Sequence, residues 1–255
     1  MSISQDQKFE FDILGYFHLR NALSPAEVAE YLDWGEQIQN TDLQTLNSDR
    51  PENLKHQLNR PVSRIFDADP RFACFLDHPA VEPFLVEFLG EDYRHIDNEL
   101  YYTYPGYQGG KWHRGVRPHP TGHVVNGQFI CPMVKVFYCL TDVGLGQGEF
   151  VVIPGSHKAQ FEIEFDRLDL PGQHIFDDVK AGDIIIFNEG LIHNGRPNPS
   201  QKTRKTIIVN FGRRDAGPWP GYTPRTETLA AVNARRREIL TNVQAVWQEP
   251  ELVRI

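Results

Sequence analysis

Two histidines and one arginine have the types and spacing that suit a metal-dependent reaction. His113 follows a glycine-rich loop, His193 stands 80 positions later, after a strand-like run, and Arg204 follows 11 positions after that. A mononuclear iron(II) site of the facial type takes two His and one carboxylate, and it leaves the other metal positions open. The layout therefore predicts that His113 and His193 bind iron.

The carboxylate of such a site is expected two residues after the first histidine, because side chains at i and i+2 of an extended chain point the same way. Gly115 occupies that position here. The predicted site therefore lacks one protein ligand and one negative charge. Gly115 becomes a candidate functional residue together with a cation near it, Arg114 or Arg117, which would attract an anion to the vacant position.

Arg204 and Thr206 are two apart in an extended run and share one face of a strand. A guanidinium facing an apolar interior is costly unless it meets an anion, and its planar fork suits a carboxylate. Arg204 and Thr206 are candidate residues for binding a carboxylate ligand, and a solvated surface arginine is the alternative. Tyr102 and Lys135 are further candidates, although strand alternation does not say which face lies inside.

The elements around these residues predict a mainly β protein. From His95 onward, short apolar runs alternate with clusters of Gly, Pro, Asn and Asp, which is the pattern of an antiparallel sandwich or barrel. We expect a jelly roll, a double-stranded β-helix of the cupin type with flanking N-terminal and C-terminal helices. The expected strands are 96–104, 128–140, 149–153, 183–188 and 206–211.

One domain is expected over 1–255, with N-terminal helices in 1–93, the jelly-roll core in 94–212 and a C-terminal loop and helix in 213–255. Ser24-Pro25-Ala26-Glu27 forms a capping box that predicts a helix to about Ile38. A second helix is expected over 80–89, ending at a glycine. The polar stretch 39–60 has too little apolar content to pack and is interpreted as a surface loop or lid.

Composition limits the class of partner. Lys and Arg number 26 against 34 Asp and Glu, a formal charge of −8, which argues against nucleic acid and anionic membranes. Three cysteines are too few for a disulfide framework, and neither a signal peptide nor an apolar run of about 18 residues is visible. We expect a cytoplasmic protein that acts on a small molecule, and the sequence leaves its oligomeric state open.

The chain also resembles the phytanoyl-CoA dioxygenase family, iron(II)- and 2-oxoglutarate-dependent oxygenases built on a double-stranded β-helix. The resemblance spans about Phe9 to Gly212 and implies that His113 and His193 bind iron while Arg204 binds the distal carboxylate of 2-oxoglutarate. The matching stretches are Tyr104–His113, Leu140–Val143, Gly148–Lys158 with its Pro-Gly-Ser-His turn, Ala181–Phe187, and His193 with Arg204.

Three interpretations of the missing carboxylate stay open. Gly115 is similar to the small residue of the 2-oxoglutarate-dependent halogenases, where chloride reaches the iron and the substrate is halogenated, and this interpretation is favoured. The second is a hydroxylase with water in the vacant position or a carboxylate borrowed from Glu99 or Glu149. The third is a metal-free ligand-binding protein. His119, His123 and His157 compete as ligands, with His157 interpreted as structural within its turn.

Overall fold

A computed structural model describes residues 3–39, 58–115, 124–125, 128–129, 131–159, 166–214 and 222–241. Its strands are β1 (Tyr16–Leu19), β2 (Asn59–Ser63), β3 (Arg94–Thr103), β4 (Val124–Val125), β5 (Gln128–Phe129), β6 (Met133–Cys139), β7 (Val143–Gly144), β8 (Phe150–Val152), β9 (His174–Ile175), β10 (Asp178–Val179), β11 (Ile184–Asn188), β12 (His193–Gly195) and β13 (Arg204–Gly212). The largest sheet has six antiparallel strands in the order β1-β11-β6-β13-β3-β2, and a smaller sheet has the order β12-β8-β9. Two further pairs are β10 with β7 and β4 with β5.

Helices flank this antiparallel core, as expected from the sequence. Ser24 caps the helix α2 (Pro25–Gln39): its Oγ accepts a hydrogen bond from the Glu27 N–H at 3.2 Å, and its own N–H donates to Glu27 Oε2 at 2.7 Å. The capping box therefore forms as predicted. The helices are α1 (Gln5–Leu14), α2 (Pro25–Gln39), and the segments Ile65–Ala68, Glu82–Leu89, Thr226–Ala231 and Ala234–Thr241, with 3-10 turns at Pro70–Asp77 and Ser156–Lys158.

The N-terminal third contributes more than helices. β1 pairs with β11 and β2 pairs with β3, so two of the six main strands precede the expected start of the core at residue 94. Most of the predicted lid, residues 40–57, lies outside the described residues, and its end forms the start of β2. No helix in the described parts of the chain is long and apolar enough to cross a membrane.

The main sheet has two different faces. The outer face packs against the helices through fully buried side chains such as Tyr138 and Val209. The inner face turns towards the smaller sheet, where Phe137 and Ile208 pack with Phe150 in a second apolar cluster. Alternation along each strand therefore assigns every side chain either to the helix layer or to the interior between the sheets.

Candidate metal and cosubstrate site

The structure brings His113 and His193 together across an isolated antiparallel bridge. The His113 N–H donates to the His193 carbonyl at 3.0 Å, and the His193 N–H donates back to the His113 carbonyl at 2.9 Å. Their ring centroids are 4.2 Å apart. His193 begins β12 and is buried, while His113 is exposed. Two segments that are distant in sequence thus present a pair of adjacent imidazoles.

Both imidazoles are fixed in the form that binds metal. Each Nδ1 lies 2.8 Å from the backbone carbonyl two residues earlier, that of Lys111 for His113 and that of Leu191 for His193. A carbonyl oxygen only accepts, so each Nδ1 carries the proton and each Nε2 keeps a free lone pair. Burial, and then the neighbouring His113, lower the pKa of His193 well below its ordinary value, so its ring is neutral, as metal binding requires.

The backbone of Gly115 lies beside the two histidines. Its N–H donates to the Glu189 carbonyl at 2.9 Å, which extends the antiparallel contact by one more hydrogen bond. The Arg114 guanidinium donates to the Ala159 carbonyl at 3.0 Å. Arg114 therefore uses at least part of its fork on the protein backbone. Arg117, His119 and His123 lie outside the described residues.

A buried carboxylate that the sequence analysis did not single out stands next to the pair. Glu189 has no exposed surface, and its Oε2 lies 3.8 Å from His193 Nε2. Its Oε1 forms an ion pair with Lys135 Nζ, which reaches in from β6. Lys135 therefore faces the interior, on the same side as Phe187 of β11. Side chains alternate along β11, so Glu189, two residues after the inward-facing Phe187, is expected to point inward as well. That alternation is the sequence signal that would have indicated Glu189.

The carboxylates that were candidates for a borrowed ligand have other partners. Glu99 accepts a hydrogen bond from the Ser63 hydroxyl at 3.0 Å. Glu149 accepts one from the Gly146 N–H at 2.6 Å. His157 places its Nε2 3.2 Å from the Asp12 carbonyl, in a buried position that ties its turn to α1.

Arg204 lies at the start of β13 with an incomplete set of partners. Its guanidinium donates to the Gly148 carbonyl, while its Nε is buried and has no hydrogen-bond partner among the described residues. Burial lowers the pKa of Arg204, and the nearby Tyr107 and Glu149 act in the opposite direction. Thr206 is buried two residues later on the same face of β13. An unpaired, buried guanidinium nitrogen fits an anionic ligand.

Tyr102 is not part of this arrangement. It lies on the outer face of β3, where its hydroxyl donates to the Gly35 carbonyl of α2 at 3.0 Å. Its position does not support the expectation that it binds the cosubstrate. The preceding residue, Tyr101, faces the interior opposite Thr206 and packs against the inner apolar cluster.

A cavity of about 640 Å³ adjoins the histidine segment. Lys111 and Trp112, the two residues before His113, form part of its wall, and Tyr101 and Tyr107 form another part. The cavity therefore links the start of the histidine segment with the inner face of β3. Its walls combine aromatic rings with polar side chains, as ligand pockets do.

Comparison with known proteins gives a family match and one short sequence match. The family model for phytanoyl-CoA dioxygenase (PhyH) matches residues 11–206. A segment of 77 residues is 34% identical to the dioxygenase olcK of Penicillium canescens, and it spans 30% of this chain and only 24% of that protein.

Solved structures share the fold at low sequence identity. HygX from Streptomyces hygroscopicus with nickel and 2-oxoglutarate has a TM-score of 0.69 at 18% identity, over 86% of this chain and 90% of HygX. The carbocyclase SnoK from nogalamycin biosynthesis, which is α-ketoglutarate dependent, has a TM-score of 0.62 at 17% identity, over 85% and 87% of the two chains. The fold, and a family match over well over half of the chain, establish that this protein belongs to the phytanoyl-CoA dioxygenase family of iron- and 2-oxoglutarate-dependent oxygenases.

Proposed function

We propose that this protein is an iron(II)- and 2-oxoglutarate-dependent oxygenase that oxidises a C–H bond of a small molecule. The observation that carries the proposal is the pair His113 and His193, each with Nδ1 bonded to a backbone carbonyl and Nε2 left free. HygX supports the choice of ligands, since its structures contain iron, or nickel with 2-oxoglutarate.

The residues of the candidate site have separate tasks in this proposal. His113 and His193 hold the metal, and the hydrogen bonds from each Nδ1 to a backbone carbonyl keep the two rings oriented before it binds. Arg204 binds the distal carboxylate of 2-oxoglutarate through its unpaired nitrogen, beside Thr206. When bound, iron and 2-oxoglutarate supply the oxidising power, through decarboxylation of the cosubstrate in the presence of dioxygen.

The cavity is the proposed substrate site. Its wall includes Lys111 and Trp112, which directly precede His113, so a molecule bound there lies near the metal ligands. Tyr101, Tyr107 and Trp112 offer flat apolar surfaces, and Asn59 and Asp166 offer polar groups at other points of the wall. HygX has been crystallised with the small molecule hygromycin B, which supports a small organic substrate here too.

Oxygen insertion or a related oxidation fits the charges of the site better than halogenation. The halogenase interpretation depends on Gly115, which leaves one position of the metal and one negative charge unfilled. Glu189 places a buried carboxylate 3.8 Å from His193 Nε2, and a chloride ion at the metal would have to lie close to it. Like charges in a buried site repel each other, although the Lys135 ammonium paired with Glu189 offsets part of this repulsion. Halogenation stays the second candidate because Gly115 is the feature that would admit a halide.

The test compares wild-type protein with His193→Ala. Wild-type protein should form succinate from 2-oxoglutarate only with iron(II) and dioxygen, whereas His193→Ala should lose both succinate formation and iron binding by calorimetry. Undiminished iron binding in His193→Ala would refute the assignment of the site.

Halide titration separates the two candidate outcomes. Chloride should leave the visible absorption of the iron and 2-oxoglutarate complex unchanged, and a substrate that stimulates succinate formation should yield only oxidised product in chloride, in bromide and without halide. A product mass that contains chlorine or bromine would establish the halogenase instead.

A further inference from the structure

Glu189 places a carboxylate beside the two histidines. Its backbone carbonyl accepts from the Gly115 N–H, so it lies opposite the residue that lacks a carboxylate. Its side chain is fully buried, and its Oε2 has no hydrogen-bond partner among the described residues. Its partner is the Lys135 ammonium, and His193 Nε2 is 3.8 Å away.

We propose that Glu189 is the carboxylate ligand of the metal, completing with His113 and His193 the set that Gly115 leaves incomplete. This inference rests on the proposed function, because it requires the two histidines to hold the metal. The ligand would come from the turn between β11 and β12, four residues before His193, and not from the position two residues after His113.

The distance permits this assignment with a small rearrangement. Metal ions of this type lie about 2.0–2.2 Å from nitrogen and carboxylate ligands, so two donors at right angles are about 3 Å apart. Glu189 Oε2 must therefore move less than about 1 Å closer to His193 Nε2 than its present 3.8 Å. Among the described residues no three His, Cys, Asp or Glu side chains already stand close enough to enclose an ion, so a shift of this kind is required.

Lys135 explains how the carboxylate is kept in place before the metal binds. A buried carboxylate without a partner is strongly unfavourable, and the Lys135 ammonium provides the opposite charge. A divalent ion beside Glu189 competes with that ammonium and leaves it available to a carboxylate of the cosubstrate. Because Lys135 points into the interior, it can pair with Glu189 before the metal binds and with a cosubstrate carboxylate afterwards. The absence of a carboxylate at 115 also avoids a second negative charge next to Glu189.

Cobalt(II) binding measured by calorimetry, without cosubstrate, tests the proposal independently of activity. Glu189→Gln keeps the shape of the side chain and removes its charge, and it should weaken cobalt binding by at least about 10-fold. The matched control is Glu99→Gln, which removes a carboxylate from the same face of the main sheet and should change the affinity less than 3-fold or so. Equal losses in the two variants would mean a general charge effect and would overturn the proposal.

A rescue variant makes the test specific. In the double variant Glu189→Gln with Gly115→Asp, the new carboxylate stands at the usual position two residues after His113, and cobalt affinity should return to near the wild-type value. Wild-type affinity in Glu189→Gln alone, with loss of binding in His193→Ala, would refute Glu189 as a ligand and leave the proposed function intact. Unchanged binding in His193→Ala would refute the proposed function itself.

Thermal unfolding without metal checks that each variant is folded. This check is needed because Glu189→Gln leaves Lys135 without its ion pair. If that variant does not fold, a crystal structure of the wild-type protein with cobalt decides the question. A Glu189 oxygen about 2.1 Å from the ion supports the proposal, and a Glu189 that stays on Lys135 while the ion binds both histidines overturns it.

Discussion

Two pairs of buried polar side chains on opposite faces of the main sheet differ in their partners. On the outer face, Tyr102 donates to the Gly35 carbonyl at 3.0 Å and Tyr138 donates to the Phe75 carbonyl at 3.4 Å, so both buried hydroxyls have partners within the protein. On the inner side, the buried Nε of Arg204 has no hydrogen-bond partner among the described residues, and Glu189 is held by an ion pair with Lys135. The outer pair is thus neutral and bonded to the backbone, whereas the inner pair is charged.

This difference supports the proposed division between buried polar residues that stabilise the fold and buried charged residues that bind a ligand. A buried polar atom without a partner costs on the order of 1–3 kcal/mol, so a folded protein carries few of them without a reason. The Arg204 guanidinium has one unpaired nitrogen and the Glu189 carboxylate has one oxygen without a partner, so a dicarboxylate and a metal ion would complement them.

Truncating an outer-face contact should give the largest effect, and the effect should be on stability alone. Phe75 is fully buried, with its ring centroid 4.5 Å from that of Tyr138 and 4.7 Å from that of Tyr31. Phe75→Ala should lower the free energy of unfolding by about 3–5 kcal/mol because it leaves a cavity. Denaturant titration measures the loss, and calorimetry on the folded protein should give unchanged cobalt affinity. A metal affinity that falls with stability would show that the two faces are coupled.

Removing the guanidinium of Arg204 should affect ligand binding more than stability. Arg204→Ala should weaken 2-oxoglutarate binding by about 2–5 kcal/mol, since a desolvated carboxylate loses its charged partner. Its unfolding free energy should change less than that of Phe75→Ala, because the guanidinium has an unpaired nitrogen in the folded protein. Arg204→Lys keeps the charge without the fork and should give an intermediate affinity. Succinate formation that saturates at the same cosubstrate concentration in Arg204→Ala and wild type would assign this role to another residue.

The sequence predicts much of the outer framework because its signals are local. The capping box at Ser24 and the β-rich pattern after His95 need only neighbouring residues to be interpreted, and both agree with the structure. The strand β1 was missed because Phe9 to Leu19 mixes a helix and a strand, and its pairing partner β11 is more than 160 residues away.

The interior of the site was harder to predict because it depends on which face of each strand is buried. Alternation placed Tyr102 and Lys135 on strands without fixing their side, and one faces α2 while the other faces the interior. Glu189 was missed because the alternation of β11 was not continued one residue beyond its end, and its ion-pair partner Lys135 lies 54 positions away on the neighbouring strand. Register between distant strands is a tertiary property, and no local pattern contains it.

The smallest predicted effects come from Tyr101 and Tyr102, two adjacent tyrosines on opposite faces of β3. Tyr102→Phe removes one hydroxyl and leaves the Gly35 carbonyl without that donor, so it should lower the unfolding free energy by about 0.5–1.5 kcal/mol. It should not change 2-oxoglutarate or cobalt affinity, because Tyr102 points towards α2. Tyr101→Phe makes the same chemical change in the wall of the cavity, where the tyrosine is close enough to Arg204 to act on the pKa of the guanidinium. It should alter cosubstrate or substrate affinity by a few-fold and affect stability less than Tyr102→Phe does.

Calorimetry and denaturant titration on both variants give the comparison directly. A Tyr102→Phe variant that weakens 2-oxoglutarate binding more than Tyr101→Phe would reverse the assignment of the two faces and restore Tyr102 as a cosubstrate residue.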